Sequence, residues 1–227
     1  MVTYYTAIGR MVTKEVNGNK VPVIMVEDSE YMVSVDELII WSSLHWNFLV
    51  KDALEKEYSR RKVRNRVFND TSFDQTLNRL ETRGLIASGT DYIAADALYN
   101  LISTLKIRPA RTAIFDRLKS ICYFYFVKGV PFSECYKSYF GINITPDEES
   151  ILRLSKRIGI TTSEIIQCAE NKVKRIHNEE DIIGKVYSRK SVDFQTVAAE
   201  SKFSELKADI IKAVANLYMK KRIIFEN

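Results

Sequence analysis

The chain has 227 residues and a formal net charge of +5, with the apolar and charged fractions of an ordinary globular protein. No apolar run approaches the ~18 residues of a membrane span, and the first residues lack the charged-then-apolar pattern of a secretion signal. Three cysteines, Cys122, Cys135 and Cys168, cannot all pair and match no zinc spacing, so a reduced, cytoplasmic protein with no metal or other cofactor is expected.

The charge is uneven. Residues 1–50 carry 3 basic and 6 acidic side chains, residues 51–130 carry 15 and 9, and residues 131–227 carry 16 and 14. The chain opens with VTYYTAIGR, MVTKEV and VPVIMVED, rich in β-branched and aromatic residues, with Asn17-Gly18-Asn19 as a turn between the last two. A small antiparallel sheet is expected there.

Ser34 and Glu37 form a capping box that opens a helix through DELIIWSSLHW, and a second helix follows in FLVKDALEKEYSRR. Trp41, Leu44, Phe48, Leu49 and Leu54 are placed to meet Leu77 and Leu80 of a third helix in a small core. Between the second and third helices runs SRRKVRNR, with Arg60, Arg61, Lys62, Arg64 and Arg66 and no acid. Such a run suits a phosphate backbone, because neutralising phosphates releases counterions; the plainer role is a solvated loop.

The third helix is expected to start at a capping box of Ser72 and Gln75, to bury Phe73, Leu77 and Leu80, and to end at Gly84. Leu85-Ile86-Ala87 then reads as a strand, Ser88-Gly89-Thr90-Asp91 as a turn, and Tyr92-Ile93-Ala94 as a returning strand. This order, carried by LNRLETRGLI and the hairpin after it, resembles the winged helix-turn-helix superfamily from Val35 to Leu105. The resemblance implies double-stranded DNA as partner and a third helix in the major groove. Thr71, Gln75, Thr76, Asn78 and Arg79 would then face base edges, Arg64, Arg66 and Arg83 phosphates, and Thr90 would sit at a wing tip. The plain alternative is that Gln75 only caps and Arg79 only pairs with a surface acid.

ADALYNLISTLKI reads as a helix ended by Pro109, and TAIFDRLKSICYFYFVKG as another, with the cluster Tyr123-Phe124-Tyr125-Phe126 placed for core, dimer or effector contacts. A short helix over 132–139 precedes Gly141. Thr145, Pro146 and Glu148 open a helix running to about Ile158, and Thr161 with Glu164 opens the next. ILRLSKRIGITTSEIIQCAE matches a helix-turn-helix pattern with Ser155 as its small residue and Gly159 in its turn. A rival placement puts a second winged-helix-like unit at 178–226, where RIIFE echoes RGLIA. The last helix, with Leu206, Ile210, Val214 and Leu217 on one stripe, also suits dimerisation.

The expected class is therefore mainly α with small β elements (α+β). It comprises an N-terminal antiparallel sheet with a winged-helix domain (1–107), a helical linker (108–144) and a helical domain (145–227) that admits a second winged-helix-like unit. Two histidines without a nucleophile signature, and glycines that build no phosphate loop, argue against an enzyme. The sequence reads as a sequence-specific DNA-binding regulator of transcription, expected as a homodimer by default for a DNA reader. Its alternatives are a plasmid or phage replication initiator and a protein-interaction adaptor; a small-molecule effector stays open.

Overall fold

A computed structural model describes residues 1–16, 18–67, 71–110, 131, 144–187 and 193–227. The helices expected over 112–129 and 132–139, the aromatic cluster 123–126, Cys122 and Cys135 lie outside the described residues. The described chain is a mixed α+β structure with three small antiparallel sheets.

In chain order the elements are β1 (Val2–Ala7), β2 (Arg10–Val16), β3 (Asn19–Val26), β4 (Ser29–Met32), α1 (Val35–Leu44), β5 (Leu49–Val50), α2 (Lys51–Arg64), α3 (Phe73–Thr82), β6 (Ile86–Asp91), α4 (Ala94–Ile102) and β7 (Lys106–Pro109). Then come α5 (Pro146–Leu154), β8 (Ile160–Thr161), α6 (Thr162–Glu170), the single turn α7 (Glu179–Ile182) running into a π-helical turn (Ile183–Tyr187), α8 (Phe194–Ser201), α9 (Lys207–Met219) and β9 (Ile223–Glu226). The capping boxes Ser34/Glu37, Thr145/Glu148 and Thr161/Glu164 all form, because each acid at the third helical position bonds back to the cap backbone.

Several expectations are corrected. Strand β1 leaves the N-terminal sheet; β2, β3 and β4 form that sheet alone, while β1 sits between β5 and β6. Residues 85–94 form no hairpin. Strand β6 runs straight through the expected turn and pairs with β1 from Val2↔Asp91 to Ala7↔Ile86, while Ala94 already begins α4. Gly89 misleads here: a Cβ on it would lie 2.3 Å from the Leu101 nitrogen, so glycine serves close packing of the α4 backbone rather than a turn. Ser72 caps α3 without a side-chain hydrogen bond, and Gln75 stays exposed, so no capping box forms there. Helix α4 stops at Ile102, and Lys106–Pro109 is a strand, so the boundary expected at 107/108 falls inside β7. Helix α5 stops at Leu154, short of Ile158. On α9, Ile210, Val214 and Leu217 are buried in the chain's own core, which removes the stripe offered for dimerisation.

The described chain contains one topology twice. In the first unit the central strand β1 pairs Tyr5 with Leu49 on one side and Ser88 on the other; in the second, β7 pairs Ile107 with Ile160 and Phe225. The backbone bonds that extend these sheets correspond too: Ile8 N–H to Leu85 O at 2.9 Å, and Ala110 N–H to Arg222 O at 2.8 Å. Each unit then has a helix opened by a capping box (α1, α5), a two-residue strand (β5, β8), a helix directly after it (α2, α6), and a last helix and closing strand (α3–β6, α9–β9). The cap and the short strand lie at 34 and 49 in one unit and at 145 and 160 in the other. The second unit is thus larger than the stretch 178–226: α5 and α6 are its first two helices, and α7, the π turn and α8 are an insertion.

The last helix ends alike in both. Arg83 and Lys220 are the C-caps, and Gly84 (φ 65°) and Lys221 (φ 58°) follow in the left-handed region. The 6→1 bonds are Leu85 N–H to Leu80 O (3.0 Å) and Arg222 N–H to Leu217 O (2.8 Å). Each C-cap cation reaches the buried acid of its unit's first helix. Arg83 Nη1 donates to Glu37 at 3.0 Å, and Lys220 Nζ to both oxygens of Glu148 at 2.8 Å. This pair ties the first helix to the last in each unit.

The two units share one hydrophobic core. Tyr218 of α9 enters the first unit, its hydroxyl 3.0 Å from Thr6 Oγ1 and within 3.3 Å of the carbonyls of Ala7 and Leu44. Burial pushes its phenol up to about 12. Its ring also meets Trp46, Phe48 and Phe225.

Two outcomes are expected. Glu148→Ala leaves Lys220 without its buried partner and should cost about 3 kcal/mol in urea denaturation; Glu149→Ala, which removes an exposed pair with Arg153, should leave the midpoint unchanged. His45 stacks between Trp41 and Trp46, and burial followed by the Lys221 charge lowers its pKa from 6.5 to about 4. The unfolded chain therefore takes up this proton first, so stability from neutral His45 is complete above pH 6.5 and is lost as pH falls towards 4. His45→Phe should flatten the stability–pH curve across that window.

Candidate nucleic-acid interface

Helix α2 has little intrinsic apolar character and holds its place through Leu54 and Tyr58, both buried. Tyr58 donates to Asp36 Oδ1 at 2.7 Å, and burial followed by that carboxylate raises its pKa. Its ring lies 5.5 Å from Phe73, the first residue of α3. Lys62, one turn further on, has its ammonium 3.5 Å from Thr71 O, 3.6 Å from Asp36 and over the Tyr58 ring. The C-terminal end of α2 is thereby fixed against the N-terminal end of α3.

The basic run is therefore helical for most of its length rather than a loop. Its members divide by what they touch. Arg61 donates to Glu57 at 2.6 Å and to Ser42 Oγ at 3.1 Å, and Lys62 is nearly buried, so both act mainly within the fold. Arg60 also meets Glu57, but its side chain is 73% exposed. Arg64 and Arg66 are exposed. Arg60, Arg61, Arg64, Glu57 and Asn65 line a surface cleft of about 290 Å³. Arg66 is unusual: after the C-cap Asn65 it takes φ 53°, a left-handed conformation that glycine adopts at least cost, and Val67 N–H closes the turn on Lys62 O at 3.0 Å.

Helix α3 buries Phe73, Thr76, Leu77 and Leu80 and exposes Gln75, Asn78 and Arg79. Its amphipathic spacing thus places two amides and a guanidinium on one outer face. Arg79 is 61% exposed and only 3.9 Å from Glu37, a loose pair. Its first turn is opened by Ser72 without a side-chain hydrogen bond to the backbone. Asp74 on this turn is paired with Lys51 at 2.8 Å.

Besides Arg61 and Lys62, four candidates leave the set. Thr76 is buried and donates to Ser72 O at 3.0 Å. Arg83 is committed to Glu37 and to Met32 O at 2.7 Å. Thr90 is within strand β6, its hydroxyl 2.9 Å from that of Thr3, and no hairpin tip follows it, since Ala94 already begins α4. Thr71 is half-buried, with its carbonyl turned towards Tyr58 and Lys62. Arg60, Arg64 and Arg66 remain exposed on α2 and just past its end, and Gln75, Asn78 and Arg79 on α3.

Sequence reasoning passed over a second basic tract. Helix α6 ends at the C-cap Asn171, Lys172 follows at φ 55°, and Val173 N–H closes on Cys168 O at 2.8 Å. Asn65-Arg66-Val67 and Asn171-Lys172-Val173 are thus the same cap in the two units, and Lys172, Lys174 and Arg175 are exposed. The signal was the repeated Asn-cation-Val after each second helix.

Among the described residues no group of three His, Cys, Asp or Glu is placed to hold a metal ion, and no helix is long and apolar enough to cross a membrane. Cys168 is buried, which pushes its thiol up to about 12 and leaves it a packing residue. No protein-family model, curated protein or solved structure matches the chain.

Glycine at position 66 removes the cost of the left-handed backbone and one favourable charge at the helix end. Arg66→Gly should leave the thermal midpoint unchanged or raise it, by up to about 1 kcal/mol of stability; a clear fall would mean that the side chain is a structural prop.

Proposed function

We propose that the chain binds double-stranded DNA in the cytoplasm as a sequence-specific regulator of transcription, using its first unit as a winged-helix-like domain that lacks the wing hairpin. Helix α3 lies in the major groove, with Gln75 and Asn78 suited to adenine edges and Arg79 to guanine. Arg60, Arg64 and Arg66 hold phosphates beside it. What supports the reading is the fixed juncture of α2 and α3, with exposed cations along α2 and its end and exposed amides and a guanidinium on α3. Neither the cations nor the amides are needed by the core, since Leu54, Tyr58, Phe73, Leu77 and Leu80 supply that packing.

A second reading is replication initiation, as a plasmid or phage initiator. The tandem repeat favours it, because two units in one chain suit binding along an array of sites. A homodimer on a palindrome is the arrangement expected of the regulator. Selection of bound duplexes from a random pool separates them: one palindrome supports the regulator, and a repeated array supports the initiator.

Arg64→Ala with Arg66→Ala should weaken binding to all duplexes alike and make the slope of log affinity against log salt shallower by about two. Asn78→Ala should instead cost about 1–3 kcal/mol on the preferred sequence and little on random duplex. Equal loss on both would remove base reading from Asn78. Failure of the unaltered protein to retain any duplex at low salt would remove DNA from the proposal and leave a protein-interaction module.

A further inference from the structure

We infer that the second unit holds a second stretch of DNA backbone, through Lys172 with Lys174 and Arg175, and does so without reading bases. This rests on the proposed binding of duplex DNA by the first unit and adds a grip that the first unit lacks.

Three observations carry it. The first is topological. Lys172 stands where Arg66 stands, directly after the C-cap of the helix that follows the two-residue strand, with φ 55° against 53° and the same closing bond from a valine. The two valines, Val67 and Val173, both pack against the core, so the cap is anchored equally in each unit.

The second is chemical. Glycine fits the left-handed position with least strain, and the chain uses it after α3, at Gly84. After α2, α6 and α9 a long cation stands there instead, and only after α6 do two more exposed cations follow within three residues, Lys174 and Arg175. A cation near a helix end favours the helix dipole. For α2 that is already supplied by Arg61, Lys62 and Arg64 in the last turn, leaving Arg66 surplus to it. Helix α6 has no basic residue in its last turn, so Lys172 has a structural rival role that the test must separate.

The third is an asymmetry. The end caps align α9 with α3, which sets Lys212, Ala215 and Asn216 at the places of Gln75, Asn78 and Arg79. Ala215 is buried and Asn216 half-buried, and Ile211 beside them is buried too. Helix α8 packs on α6, and α9 packs on α4, α5 and α6, so of the three matched positions only Lys212 stays exposed on the last helix of the second unit. The second unit has the cations of the first without its reading surface.

The test compares Lys172→Gly/Lys174→Gln/Arg175→Gln with the unaltered full chain on a preferred duplex and on a random duplex of the same length. The expected result is an equal fold-loss on both, a salt slope shallower by about two to three, and a thermal midpoint for the single variant Lys172→Gly that holds or rises. Unchanged affinity and slope would overturn the inference while leaving the first unit's role intact. A fall in the Lys172→Gly midpoint with an unchanged slope would also overturn it, in favour of a helix-end prop. Loss confined to the preferred duplex would assign base reading to the second unit and overturn the asymmetry. No binding by the unaltered chain would remove both readings together.

Discussion

The structure depends on a strand that comes from outside each helical unit. Without β1, strands β5 and β6 have no common partner; without β7, β8 and β9 have none. An open strand pair of two and six residues exposes unpaired backbone groups that bury poorly. Inserting an upstream strand in the middle satisfies both edges at once, and it does so in matching register in the two units. It also releases the chain after β6 from returning as a hairpin. That chain becomes α4 instead, which closes over β6 at Gly89 and leads directly to the next central strand.

This closure decides which surfaces stay open. The sheet, α1 and α4 enclose the first core, and the buried acid of each first helix holds the end of the last helix by an ion pair. Tyr218 then joins the units, so the pair behaves as one packed body rather than as beads on a linker. Helix α3 keeps one face outside this construction, and so does the end of α2. Helix α9 keeps less of one: Lys212 is exposed, but Ala215 is buried and Asn216 half-buried where α3 shows Asn78 and Arg79. Duplicated topology and unequal exposure together make one unit a candidate reader and the other a candidate clamp.

Much of the local structure was legible. Capping boxes at 34, 145 and 161 follow from short-range hydrogen bonding, and the stripe Phe73, Leu77, Leu80 from helical spacing. The hairpin over 85–94 was misread because Ser-Gly-Thr-Asp has turn composition; only the α4 backbone above Gly89 shows that the glycine makes room for packing. The partner of β6 lies 79 to 89 residues upstream, at β1, and alternation within a strand does not name its partner. The repeat was glimpsed at RIIFE but placed too late in the chain. Its strongest marks, the ion pairs to Glu37 and Glu148 and the positive φ of Arg66 and Lys172, are three-dimensional. The exposed members of the basic run were legible as a set, while the loss of Thr76, Arg83 and Thr90 required burial and hydrogen-bond partners.

The account thus ties function to what the core does not consume: cations at two helix ends and amides on one helix face. Its most direct test is a titration of isotope-labelled protein with duplex DNA, followed by backbone amide chemical shifts. The account predicts shifts concentrated at 60–66, 72–79 and 172–175, with β6 and the buried face of α9 unmoved. Shifts concentrated on the β2–β4 sheet, or none at 60–66 and 72–79 while duplex is bound elsewhere, would contradict it.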